Sequence, residues 1–360
     1  MNPVTKHLGR VVDLGHPWRG VGPFIFVVHH RDTYPKGEAN LGPDPSLLKG
    51  RNIGMDMSND LGTGWNMYHG KTVPGFPAHP HRGFETVSVC MEGYVDHADS
   101  TGAGARYGAG DTQWVTTGRG VSHSEMFPLV HKDKGNTFEL YQVWLNLPSA
   151  KKLSPPEFWM LWKEKTPIVR RENNYGVATV RVMAGKFDNV EPAPPPVNSY
   201  AADPESDVAI WLIEMEPRSS IKLPACNLDT TQRLLYVHQP GAVVDISGTA
   251  VSDNNGFLQE APKERLTITN GPKPARILVL QGVDIGEPVA QHGPFVMNTQ
   301  KELEEGFAEY RRTQFGGWPW PSDQPIYPAT DPRFAKHGDG KTELPEGRDA
   351  IAKPFVYTKA

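Results

Sequence analysis

Two short pieces of the chain carry its most explicit chemistry: His79, His81 and Glu85 in HPHRGFE, and His123 and Glu125 in VSHSE. Imidazoles and carboxylates are donors that hold divalent first-row metal ions. Successive side chains of a strand face opposite ways, so residues two apart share a face. His79 and His81 meet that spacing. Read as one continuous strand, they share a face with Glu85, Val87, Val89 and Met91. His123 and Glu125 repeat the spacing on a second candidate strand, after a glycine-rich hairpin that can bring the two together. A lone H-x-H is weak, because buried histidines are often hydrogen-bonded core residues. Three imidazoles and two carboxylates are costly to bury without a metal or partners. The spacing therefore predicts a metal site inside a small β-barrel.

H-x-H-x3-E with Gly75 upstream and Gly93 downstream resembles the first cupin motif. The longer run HPHRGFETV…GDTQWVTTGRGVSHSEM is similar to the pirin family of two-domain cupins, and QHGPFVMNT at 291–299 resembles that family's C-terminal segment. The likeness extends over residues 22–315. It implies an all-β bicupin: two antiparallel barrels of jelly-roll type, with a C-terminal helix and an extended tail. Motif by motif, it implies the ligands His79, His81, His123 and Glu125. The wider cupin pattern gives the carboxylate position to Glu85 instead, so both glutamates stay open, the other being an outer partner. The resemblance implies Fe(II), although the donors suit Mn, Co, Ni, Cu or Zn as well. It also implies quercetin dioxygenase activity, with a flavonol and dioxygen as substrates and Glu125 as the candidate base for the flavonol 3-hydroxyl. A competing class is a non-enzymatic co-regulator that senses redox state through its metal and binds a partner protein.

The rest of the chain must position these residues. Its 360 residues suit two domains, and 36 Gly with 34 Pro suit short strands joined by turns. The reading divides it into a metal-binding barrel at 1–148, a second barrel without a metal site at 149–290, and a helix and tail at 291–360. Residues 32–73 lack periodicity and read as an insertion, with Trp65, Met67 and Tyr68 placed to narrow the barrel mouth. His29 and His30 are adjacent, so a strand cannot aim both at one site. Thr299-x-x-Glu302 is a capping box that starts a helix at 301–314, and Trp318 and Trp320 are expected to anchor a surface-hugging tail. A net charge of −4 without a basic block gives no electrostatic footprint for direct nucleic-acid binding. Two cysteines make no disulfide framework, and Cys90 reads as a packed small hydrophobe. With no signal-peptide pattern and no apolar run of membrane-spanning length, the expectation is a soluble cytoplasmic protein, or a nuclear one in a eukaryote.

Overall fold

The computed structural model describes residues 7–59 and 61–345. They group into two units, one of residues 7–27, 143–148 and 165–286, the other of 28–142, 149–164 and 287–345. Each unit is a pair of facing antiparallel sheets of jelly-roll type, and neither pair closes into a continuous barrel.

In the unit that holds the histidine motifs, one six-stranded sheet runs in the order Thr342–Glu343, Phe334–Lys336, Gly104–Gly108, Tyr94–Asp99, Val121–Met126, Gly75–His81. Its partner sheet includes Glu157–Leu161, Asp111–Thr116, Phe84–Glu92 and Asn136–Asn146. Between the two lie Val95, Tyr107 and Val121 from the first, with Cys90, Val115, Leu140 and Phe158 from the second. Cys90 packs there as a buried free thiol, in keeping with its small apolar character.

The motif HPHRGFE does not form one strand. It breaks at Gly83, whose φ of +84° is open to glycine and costly for other residues. An added Cβ would also collide with the carbonyl of Val296. The Gly83 carbonyl accepts from Lys152 Nζ at 2.8 Å, which fixes the turn. His79 and His81 thus stay in the first sheet, and Phe84 onward crosses to the facing one. The parity that joined Glu85 to the histidines ends at this glycine.

The other unit pairs a seven-stranded sheet with a four-stranded one. In the strand Leu266–Asn270, Leu266 and Ile268 point inward while Thr267 and Thr269 face solvent, as a half-buried strand requires. They share a core with Val244, Leu235, Phe257 and Trp211. The first strand among the described residues, Gly9–Asp13, pairs with Asn255–Gln259 in this unit.

The α-helix Gln300–Thr313 starts at the expected capping box: Thr299 Oγ1 accepts from Glu302 N, and Glu302 Oε2 accepts from Thr299 N at 2.8 Å. Leu303 is buried, and Phe307 stacks on Phe295 with centroids 4.3 Å apart. The tail does more than hug the surface. Its segment Phe334–Lys336 adds a strand to the histidine sheet, and its buried anchors are Ile326, Tyr327 and Phe334. Trp320 Nε1 does reach the carbonyl of Asp99 at 2.7 Å, whereas Trp318 Nε1 bonds locally to Ser322 O. Among the described residues, no helix is long and apolar enough to cross a membrane.

Candidate metal centre

The two histidine motifs lie on adjacent antiparallel strands, Gly75–His81 and Val121–Met126, in a register that sets His79 opposite His123. A register shift between Phe76 and His79 accompanies this pairing. The result is a cluster in which one ring nitrogen from each of His79, His81 and His123 lies within 4.8 Å of the others. His81 and His123 are buried, and His79 is half-buried on the edge strand.

The ring protonation follows from the neighbours. His79 Nδ1 lies 2.8 Å from the carbonyl of Pro77, and a carbonyl only accepts, so Nδ1 carries the proton and Nε2 presents a lone pair. That Nε2 faces His123 Nε2 at 3.1 Å. Burial pushes the His79 pKa down to about 4 and those of His81 and His123 well below the usual range. At neutral pH three uncharged imidazoles therefore converge, and two facing nitrogens share at most one proton. A divalent cation would satisfy the lone pairs together, so the donor set fits such an ion.

Glu125 Oε2 is 3.6 Å from His123 Nε2. Gln142 Nε2 donates to both carboxylate oxygens, at 3.1 and 2.9 Å, and holds the group beside the rings. Burial, the dominant effect, raises the Glu125 pKa against the Gln142 hydrogen bond, which lowers it. Glu85 is placed differently. It sits in the facing sheet, where Oε1 accepts from Trp114 Nε1 at 2.9 Å and Thr116 Oγ1 at 2.7 Å. The converging group consists of the three histidines, and of the two glutamates Glu125 is the one that lies beside a ring of that group.

Sequence reasoning missed Gln142, for which the sequence offers no signal, and the pair His97 and Asp99. The latter repeats the two-residue spacing of the other motifs and was open to detection. His97 Nε2 donates to Asp99 Oδ2 at 3.0 Å, and the ring lies 5.4 Å from that of His123. Across the sheet His97 pairs with Glu125 and Asp99 with His123. His29 and His30 separate as expected: His29 bonds Glu139 at 3.0 Å and His30 bonds the Tyr68 hydroxyl at 2.9 Å.

Trp65, Met67 and Tyr68 do not narrow a mouth. All three are buried core residues, packed with Tyr34, Phe127 and Phe138. Arg51 stacks over Trp65 at 3.3 Å and pairs with Asp56 at 2.7 Å, which draws the aromatic side chain inward.

The comparisons with known proteins bear on this site. A pirin family model matches residues 56–145, and a model of the pirin C-terminal cupin domain matches 210–316. A pirin-like protein of Caulobacter vibrioides is 33% identical over 241 residues, which are 67% of this chain and 80% of the relative. The chain belongs to the pirin family. Pirin-1 of Arabidopsis thaliana is 34% identical over 244 residues, 67% of this chain and 78% of that one. A Pseudomonas aeruginosa protein with the provisional name quercetin 2,3-dioxygenase is 32% identical over 251 residues, covering 67% and 79%. The crystal structure of a quercetin 2,3-dioxygenase from Acinetobacter baumannii is similar with a TM-score of 0.64 and 25% identity, covering 82% of this chain and 86% of that one. Its two jelly-roll units are thus cupin domains, and both histidine motifs fall in the first matched region. So do Trp65, Met67 and Tyr68, since that region begins at residue 56.

Proposed function

We propose that this pirin-family chain is a metal-dependent dioxygenase that opens the central ring of flavonols such as quercetin, consuming dioxygen and releasing carbon monoxide. The observation that carries the reading is the cluster of three neutral imidazoles, two buried and one half-buried, beside a carboxylate clasped by Gln142. His79, His81, His123 and Glu125 would hold one ion, Fe(II) being the one that the pirin resemblance implies. When bound, the metal supplies Lewis acidity toward the flavonol oxygens and a route for electrons to dioxygen.

The residues of the chain have separate tasks. The Pro77 carbonyl fixes the His79 tautomer. Gln142 orients Glu125, whose raised pKa suits it to take the proton of the flavonol 3-hydroxyl at a carboxylate oxygen. Glu85 supports the facing sheet from behind through Trp114 and Thr116.

The test is metal analysis and turnover on protein purified without added metal. About one ion per chain and oxygen-dependent quercetin consumption are expected, and His81→Ala should lose both. Equal metal content in wild type and His81→Ala defeats the ligand assignment. Bound metal without turnover would instead favour the co-regulator class.

A further inference from the structure

The second family match ends at residue 316, and the described residues beyond it include a further strand at Phe334–Lys336. That added segment is bonded to the histidine sheet at places that bear on the candidate ligands. Asp323 O accepts from Ala78 N at 2.8 Å, and Ala78 adjoins His79. The Tyr327 hydroxyl donates to His97 O at 2.8 Å, and Trp320 Nε1 donates to Asp99 O at 2.7 Å. His97 and Asp99 are the residues paired across the sheet with Glu125 and His123.

The segment is itself firmly seated. Arg106 forms a buried bidentate pair with Asp96, both contacts 2.7 Å, and donates to Tyr327 O at 2.7 Å and Pro328 O at 2.6 Å. Asp96 Oδ2 accepts in return from Tyr327 N at 2.9 Å. At Gly104 an added Cβ would collide with the Tyr327 hydroxyl, so the ring occupies the space a side chain there would need.

We infer that this C-terminal strap is part of the metal centre's support, with Tyr327 and Trp320 as positioning residues that set how tightly the ion is held. The inference rests on the proposed metal site. The strap fixes the main chain of His97 and Asp99; their side chains bond each other, and His97 packs beside the His123 ring. It also fixes Ala78 on the opposite side of His123, next to His79. Strands held from both sides keep the donors close to the spacing an ion requires; loosening a direct hydrogen-bond partner of a ligand costs roughly 10–100-fold in metal affinity, and the strap, one step further out, falls at the lower end.

Cobalt(II) is a suitable probe, because its visible absorption reports the ligand geometry. Its affinity is measured by chelator competition for wild type, His81→Ala, Tyr327→Phe, Trp320→Phe and the double variant, with the far-UV spectrum as a check on folding. Wild type should bind one cobalt(II) and His81→Ala none. Tyr327→Phe and Trp320→Phe, each folded, should bind roughly 10-fold more weakly with an altered cobalt spectrum, and the double variant more weakly still. Unchanged affinity and spectrum in the variants, whether or not their thermal stability falls, overturns the strap's role and leaves the metal site intact. If wild type binds no more cobalt(II) than His81→Ala, the metal reading and the strap inference fall together.

Discussion

Single residues decide how the donor set is charged. His79 is fixed in one tautomer by a backbone carbonyl, so its Nε2 offers a lone pair to the cluster, and burial keeps the three rings neutral. The two glutamates separate by their surroundings. Glu125 lies beside His123, and Glu125→Gln should lower turnover by about 100-fold or more while flavonol binding changes little, as read from kcat against Kd. Glu85→Ala should leave metal content unchanged but orphan the Trp114 and Thr116 donors, costing about 2–4 kcal/mol in urea unfolding. A larger metal loss in the Glu85 variant would reverse the assignment. Asp32 offers a pH test away from the rings. Burial, opposed by hydrogen bonds from Tyr68 and Asn66, raises its pKa from 3.8 to about 6. The folded state therefore holds this proton more tightly than the unfolded one. The stability so gained is full below about pH 4 and is lost as pH rises through about 6. Relative to Asp32→Asn, wild type should lose on the order of 3 kcal/mol between pH 4 and pH 7, measured by urea unfolding at each pH.

Elements bring these residues into place through a few local decisions. Gly83 is the sharpest, since its left-handed backbone sends one motif into two sheets and separates Glu85 from His79 and His81. Arg82, next to it, donates to Glu309 of the helix at 2.6 Å and to Arg119 O at 2.8 Å, tying the first motif to the approach of the second. The segment carrying Trp65 serves the core and not a mouth. Trp65→Ala should therefore destabilise the protein by about 3–5 kcal/mol and leave the preference among flavonols unchanged. Thermal unfolding together with a substrate panel checks this, and a changed profile at unchanged stability would return the residue to the mouth.

Over the whole molecule, the two units provide an internal control. Among the described residues the three-imidazole cluster His79, His81 and His123 lies in one unit, and a ligand stabilises the unit that binds it. Calorimetry of metal-free protein should resolve two transitions. Fe(II) or cobalt(II) at 100 times Kd should raise the transition of the histidine-bearing unit by about 2.7 kcal/mol and leave the other in place. A shift of both, or of neither, would contradict a single site confined to one unit.

Much of this was legible in the sequence. The two-residue spacing of His79 with His81 and of His123 with Glu125 places each pair on one face of a strand, because side-chain period in a strand is local geometry. The motif matches identified the family and its paired cupin units, and the capping box at Thr299 and Glu302 marked the helix start, since those contacts lie within one turn. What only the tertiary structure decided is long in range. Whether Glu85 joined the histidines depended on a turn at Gly83, where the Val296 carbonyl, more than two hundred residues away in the chain, leaves no room for a side chain. That Gln142 clasps Glu125, that Trp65 packs under Arg51, and that Tyr327 and Trp320 reach the strand beside that of His123 are likewise matters of packing. Periodicity specifies which way a side chain faces along its own strand; it carries no information about what distant chain will be there to meet it.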